Sequence, residues 1–275
     1  SGTFLFHLVR RYLAAADSAG IGNHEAVAGA AEHVIGVDVH PVAVSLARVT
    51  YLLALGSARL RDPSRGPLRI PVFLGDSLQW GQRQNLFSSE SLNVATSDGT
   101  QLFADELRFP EHLLADADRF DQLVADLADK ACNRVQNTPV PPVAPIARRH
   151  GITGDDLQTI ERTFDRMCKL HDEGRDHIWG YFVRNLARPA WLAQAANRVD
   201  VLIGNPPWLS YRFMTTTMQE SFRSMSEERE LWSGGAVATQ QDLSDLFIAR
   251  CVEQYLSADG KVAFVMPAAA LTRQQ

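Results

Sequence analysis

The residues best able to do chemistry in this chain stand together in Gly204-Asn205-Pro206-Pro207-Trp208. Asn205 offers an amide oxygen, Pro206 a backbone carbonyl and Trp208 an indole face. Two acceptors beside an aromatic plane suit a planar ring bearing an exocyclic NH2 group. Proline fixes its own φ and pushes the residue before it toward extended geometry. Asn205 and Pro206 each precede a proline, so the acceptors are held on a preset rim. Asn-Pro also opens ordinary turns after strands, and the pentapeptide alone is equally compatible with that.

Three further points could serve a ligand. Asp38 ends the apolar run Val34-Ile35-Gly36-Val37. An acid at the end of the second strand of a nucleotide-binding fold commonly accepts from ribose hydroxyls; it could instead cap the helix that follows. Asp76 lies in Gly75-Asp76-Ser77 after another apolar run, where it suits a turn or an acceptor for a ligand's amino group. Ser1-Gly2-Thr3 forms a glycine-containing turn into a helix N-terminus, which lets backbone approach a ligand closely and favours negative charge.

Short strands must carry these residues. Val201-Leu202-Ile203 after Asp200 is apolar, β-branched at both ends and stopped by glycine and two prolines, which predicts a buried strand. Asn205 then sits at a strand's carboxyl end, where open α/β sheets bind ligands. Strands are also predicted at 34–38, 70–74 and 261–266, with Asp259-Gly260 as a turn before the last and Pro267 as its stop. Helices are predicted over 3–16, with Phe4, Leu5, Leu8, Val9, Tyr12 and Leu13 on one face, and over 41–58, with Pro41 in its first turn. The next is expected at 242–256. Residues 81–198 break this alternation with helical patterns near 110–134, 154–172 and 176–197 and a proline-rich linker at 138–145. The Trp179, Phe182, Val183, Leu186 stripe reads as core. Residues 209–240 are polar and are expected to form a long mobile loop with a short helix.

The bulk properties exclude more than they assign. The 275 residues are 45% hydrophobic and 21% charged, ordinary globular composition. A net charge of -5 advertises no general affinity for nucleic acid, so a polyanion needs a local patch or a separate module. Cys132, Cys168 and Cys251 are far apart, which argues against a zinc site or disulfide framework and suits reduced cytoplasmic thiols. No apolar run approaches the ~20 residues of a membrane span.

Taken together, these stretches resemble one family. Ser1-Gly2-Thr3-Phe4-Leu5 is similar to the tail of a glycine-rich S-adenosylmethionine (AdoMet) loop. Gly36-Val37-Asp38-Val39-His40-Pro41 with Ala47-Arg48, Gly75-Asp76-Ser77-Leu78, Asn205-Pro206-Pro207-Trp208 and Gly260-Lys261 through Pro267 resemble its later motifs in order. The pattern resembles N6-adenine DNA methyltransferases, of the large helical-insert kind found in type I and type IIG restriction systems and related phage-defence systems. Trp208 departs from the commoner Tyr or Phe, which keeps stacking but removes phenol chemistry.

The resemblance implies an α/β, Rossmann-like AdoMet-dependent fold in three parts: residues 1–80 bind the cofactor, 81–198 form a mainly helical insertion, and 199–275 carry the catalytic motif. It implies that the first central strand precedes Ser1 and that the four strands lie as two pairs. It also implies methyl transfer to adenine N6, with Asn205, Pro206, Pro207 and Trp208 at a base flipped from double-stranded DNA. Ser1, Gly2, Thr3, Asp38 and Asp76, with Asn205, would line the AdoMet side; no metal is implied. Target recognition would come from a domain or subunit outside this chain. The same corner occurs in methyltransferases of RNA bases and of protein glutamine, and a non-catalytic scaffold subunit could keep the fold.

Overall fold

A computed structural model of the chain describes residues 2–78, 91–95, 106–110, 112–113, 116–174, 179–234 and 241–266. It opens with α1 (Thr3–Ser18), α2 (Asn23–His33), β1 (Gly36–Asp38), α3 (Pro41–Leu55), α4 (Ser57–Arg61) and β2 (Val72–Leu74). β1 and β2 are parallel, with Gly36 opposite Val72 and Asp38 opposite Leu74. Pro71 begins the second run, where a proline without an N–H is harmless; its carbonyl accepts from Gly36 N at 2.9 Å. Val9, Leu13, Ala30, Val44, Tyr51, Leu55 and Val72 build the core beneath this half. Tyr51 is fully buried, and its hydroxyl donates to the Ala30 carbonyl at 2.7 Å. Burial lifts this phenol well above its ordinary pKa, so it stays a neutral donor. Gly56, at φ 82°, ends α3 by taking the backbone conformation that a side chain disfavours, so the predicted 41–58 helix stops early.

The second group is β3 (Ser91–Ala95), β4 (Glu106–Pro110), α5 (Ala117–Cys132), α6 (Ala144–Arg149), α7 (Gly154–Asp172) and α8 (Trp179–Ala193). β3 and β4 pair antiparallel, Ser91 opposite Pro110. Their edge packs on α7: the Thr163 hydroxyl donates to the Arg108 carbonyl at 2.6 Å and accepts from its N–H at 3.1 Å. Phe109, Phe120, Leu127, Ile160, Phe164 and Val183 form the apolar centre of this group. Two expectations are corrected here. The region near 110 is a strand edge rather than a helix start, and the proline-rich linker runs directly into α6, with Pro145 in its first turn. Val183 is buried, whereas the side chains of Trp179, Phe182 and Leu186 lie outside the described residues.

The last group is β5 (Val199–Gly204), α9 (Thr216–Glu227), α10 (Leu243–Tyr255) and β6 (Leu256–Phe264). β5 and β6 are parallel from Val201 opposite Lys261 to Gly204 opposite Phe264. The strands therefore lie as the two pairs expected. The predicted turn at Asp259-Gly260 is absorbed into β6, where the register slips between Val199 and Val201. The stretch expected to be a mobile loop with a short helix carries that helix as α9, and its described residues 209–234 are packed rather than loose. Met214 and Phe222 are buried with Leu78, Leu243 and Leu246, and Tyr211 and Trp232 close around them.

The two parallel pairs share one apolar cluster. Ile35 and Val37 from the first meet Val199, Leu202 and Phe264 from the second, around Leu192, Cys251 and Tyr255. α8 reaches across the molecule: Val183 and Ala187 lie in the helical core, while Trp191 and Leu192 lie in this cluster.

Candidate active site

Asp38 closes β1 and is half-buried. Its Oδ1 accepts from His40 N at 2.9 Å, a local turn at the entry to α3. Among the described residues its Oδ2 has no partner. Its backbone carbonyl accepts from Gly75 N at 3.0 Å, so the ends carrying Asp38 and Asp76 lie side by side. Asp76 Oδ1 accepts from Leu78 N at 3.0 Å, which shapes that turn.

The Asp76 turn is held from the far end of the chain. Tyr255 donates its hydroxyl to the Ser77 carbonyl at 2.8 Å, and Arg250 Nη2 reaches the Leu78 carbonyl at 3.3 Å. Burial is the main reason the Arg250 guanidinium lies below its usual pKa. Beneath them Cys251 is pushed up to about 12 by burial, opposed by Arg250 and reinforced by Asp76, which leaves an inert thiol. Sequence reasoning placed a helix at 242–256, with Tyr255 on its apolar face, but gave Arg250 and Tyr255 no role; both lie on α10.

Asn205 follows β5 directly and is exposed; Pro206 is buried, Pro207 exposed, and Trp208 54% exposed. Among the described residues neither the Asn205 amide nor the Pro206 carbonyl has a hydrogen-bond partner, so an exposed amide and the unpaired carbonyl of a buried proline stand beside an open indole. The backbone on either side is tied down. Val265 N donates to the Gly204 carbonyl at 3.0 Å, and Leu243 N to the Leu209 carbonyl at 2.9 Å. A Cβ on Gly204 would stand 3.1 Å from the Phe264 ring, so this position is crowded too.

Gly2 caps α1 at φ 84°, and a Cβ there would meet Ala47 Cα at 2.9 Å. The turn is thus pressed onto α3, while Leu5 packs over Gly36. Ser1 lies outside the described residues. The structure therefore sets Asp38 beside the Gly75-Asp76 turn, and Leu78 after that turn packs in one cluster with Leu209 and Met214 from the loop after Trp208. No hydrogen bond among the described residues links Asn205 to either acid, or Gly2 to them. No group of His, Cys, Asp and Glu among the described residues could hold a metal ion. No helix among them is long and apolar enough to cross a membrane.

A strand-end amide corner thus follows one parallel pair, and acids end or follow the strands of the other. The family model for Eco57I restriction-modification methylase matches residues 32–275, and the chain belongs to that family. It is therefore a DNA methyltransferase of the restriction-modification kind. Neither the curated proteins nor the solved structures include a match.

Proposed function

We propose that this protein transfers a methyl group from AdoMet to the N6 amino group of adenine in DNA. The supporting observation is the Asn205 corner, with its exposed amide and the unpaired Pro206 carbonyl next to the exposed Trp208. An adenine amino group is a poor nucleophile because its lone pair is delocalised into the ring. Hydrogen bonds from its two N–H groups to the Asn205 Oδ1 and the Pro206 carbonyl draw the nitrogen toward tetrahedral geometry. The same acceptors stabilise the positive charge that grows on nitrogen, as an oxyanion hole does with the opposite sign. The Asn205 amide is no base, so the proton leaves to solvent after transfer. Trp208 stacks on the base once it has left the duplex.

When bound, AdoMet supplies a methyl group on a positive sulfonium. The residues present suit it. Asp38 has Oδ2 for a ribose hydroxyl, and Asp76 is an acceptor for the cofactor's amino group. The first-turn N–H groups of α1, behind Gly2 and Thr3, suit the carboxylate at its amino-acid end. On this reading the two parallel pairs belong to a Rossmann-like sheet in the 1–80 and 199–275 parts, with 81–198 as an insertion. The protein works in the cytoplasm within a restriction-modification or phage-defence system, and its target sequence is read by a module beyond this chain.

The test separates two roles. Asn205→Ala in the full-length protein should remove nearly all methylation while leaving AdoMet affinity within about twofold, because the lost acceptor touches the base. Asp38→Ala should weaken AdoMet first. Equal loss of cofactor affinity in both variants would overturn these assignments.

A further inference from the structure

We propose that Arg212 and Phe213 form a second DNA-contacting element, in which Phe213 fills the gap that a displaced adenine leaves and Arg212 takes a neighbouring phosphate. The proposal rests on reading Asn205 as the base-binding corner. Phe213 is 68% exposed, a large apolar ring on the surface close in sequence to that corner. Its backbone is firmly anchored. Tyr211 N donates to the Gln241 carbonyl and the Tyr211 carbonyl accepts from Gln219 Nε2, both at 2.9 Å. The Tyr211 ring lies 5.7 Å from Phe222 and 5.4 Å from Trp232, and Met214 on the other side is buried. Tyr211 and Met214 thus face the core, while the turn between them presents Arg212 and Phe213 outward.

Arg212 stands with its guanidinium 4.6 Å from the Phe213 ring centroid, a cation–π contact that orients the ring. Among the described residues it has no carboxylate partner, whereas Arg223 on α9 is paired with Glu227 at 2.8 Å. In a chain of net charge -5, an exposed cation with no carboxylate partner among the described residues is complementary to a phosphate. The five residues from Trp208 to Phe213 span at most about 17 Å when extended. That is about five base steps at ~3.4 Å each, which confines the ring to the stretch of duplex around the target. Apolar side chains entering a duplex partly unstack it, so a vacated position is where such a ring costs least to insert.

The experiment uses the full-length protein and a duplex it methylates, prepared in two forms: the target adenine paired with thymine, and the same adenine opposite an abasic site, where extrusion breaks no pair. Phe213→Ala should lower kcat/KM on the paired duplex by roughly tenfold or more, because the vacated position is then left without a ring to stack on its neighbours. It should change the abasic-site duplex by less than about threefold, and Phe213→Leu should recover most of the loss. Arg212→Ala should weaken binding to both duplexes alike and reduce the slope of log K against log salt by about 1. Loss by Phe213→Ala on both duplexes equally, or on neither, would overturn the wedge role. An unchanged salt slope would overturn the phosphate role. Methylation by the wild-type protein of a base other than adenine in the paired duplex would bring down the Asn205 reading, and this proposal with it.

Discussion

Arg188 Nη2 stands 2.9 Å from Asp121 Oδ2, and both side chains are almost closed to solvent, at 8% and 11% exposure. Asp121 belongs to α5 in the helical group, while the Arg188 guanidinium lies 4.5 Å from the ring centroid of Phe73 on β2 and 5.3 Å from that of Trp191. One side chain therefore ties the helical core to the strand that leads to Asp76. Asp121 Oδ2 also holds Arg69 Nη1 at 3.2 Å, so Arg188→Met leaves the carboxylate to that more exposed partner and should destabilise the protein by about 1.5–3 kcal/mol, the scale of one hydrogen bond to a charged group. Adding Asp121→Leu should recover part of that loss, because the under-compensated buried carboxylate disappears with it while Arg69, 61% exposed, stays solvated. Denaturant melts of the two single variants and the double variant check this as a cycle.

Gly75 leaves no room for a side chain. A Cβ there would stand 2.7 Å from Pro189 Cγ and 2.9 Å from Cδ, atoms of a stiff ring inside α8. Gly75→Ala should push α8 and the Asp76 turn apart and weaken AdoMet binding. Adding Pro189→Ala should restore much of the affinity by removing the ring. Calorimetric titration of both variants measures the outcome; unchanged affinity in Gly75→Ala would show that the Asp76 turn is not part of the cofactor site.

Acid should act on the helical group through Asp172. The Arg134 side chain, then the Asn137 N–H, hold its carboxyl below the usual carboxylate pKa. A carboxyl with a depressed folded-state pKa stabilises fully above its unfolded value, about 3.9, and loses that contribution as pH falls through the folded one. The melting temperature of Asp172→Asn should therefore lie below that of the native protein near pH 7. The gap should narrow as pH drops below about 4, because native Asp172 becomes neutral as well. Melts across this range would show a constant gap if the charge on Asp172 were irrelevant.

The strands bearing the candidate residues were legible because short β-branched runs end in glycine, proline or an acid, as at Val201-Leu202-Ile203 before Gly204. α2 escaped notice because it buries small residues, Ala26, Val27 and Ala30, and has no stripe of large ones. The β3–β4 pairing escaped because Ser91-Leu92-Asn93-Val94-Ala95 alternates only weakly, and pairing is not a local property. α9 is the short helix expected within 209–240, but its polar faces hid where it begins and ends, with Phe222 its one large buried side chain. Asn205, Asp38 and Asp76 were readable singly from their places at strand ends. Their supports were not: Tyr255 lies 178 residues from Ser77, and Arg188 67 residues from Asp121. A contact over such separations exists only once the fold does.

The most direct measurement is to incubate the full-length protein with methyl-labelled AdoMet and duplex DNA, digest the DNA, and identify the labelled nucleoside. Acceptors at Asn205 and Pro206 that grip an exocyclic NH2 on a stacked purine should place the label in N6-methyladenine, and Asn205→Ala should abolish it. Label in a methylated cytosine, or in RNA or protein with none in DNA, would contradict the adenine assignment. Undiminished N6-methyladenine from Asn205→Ala would contradict the role given to the corner itself.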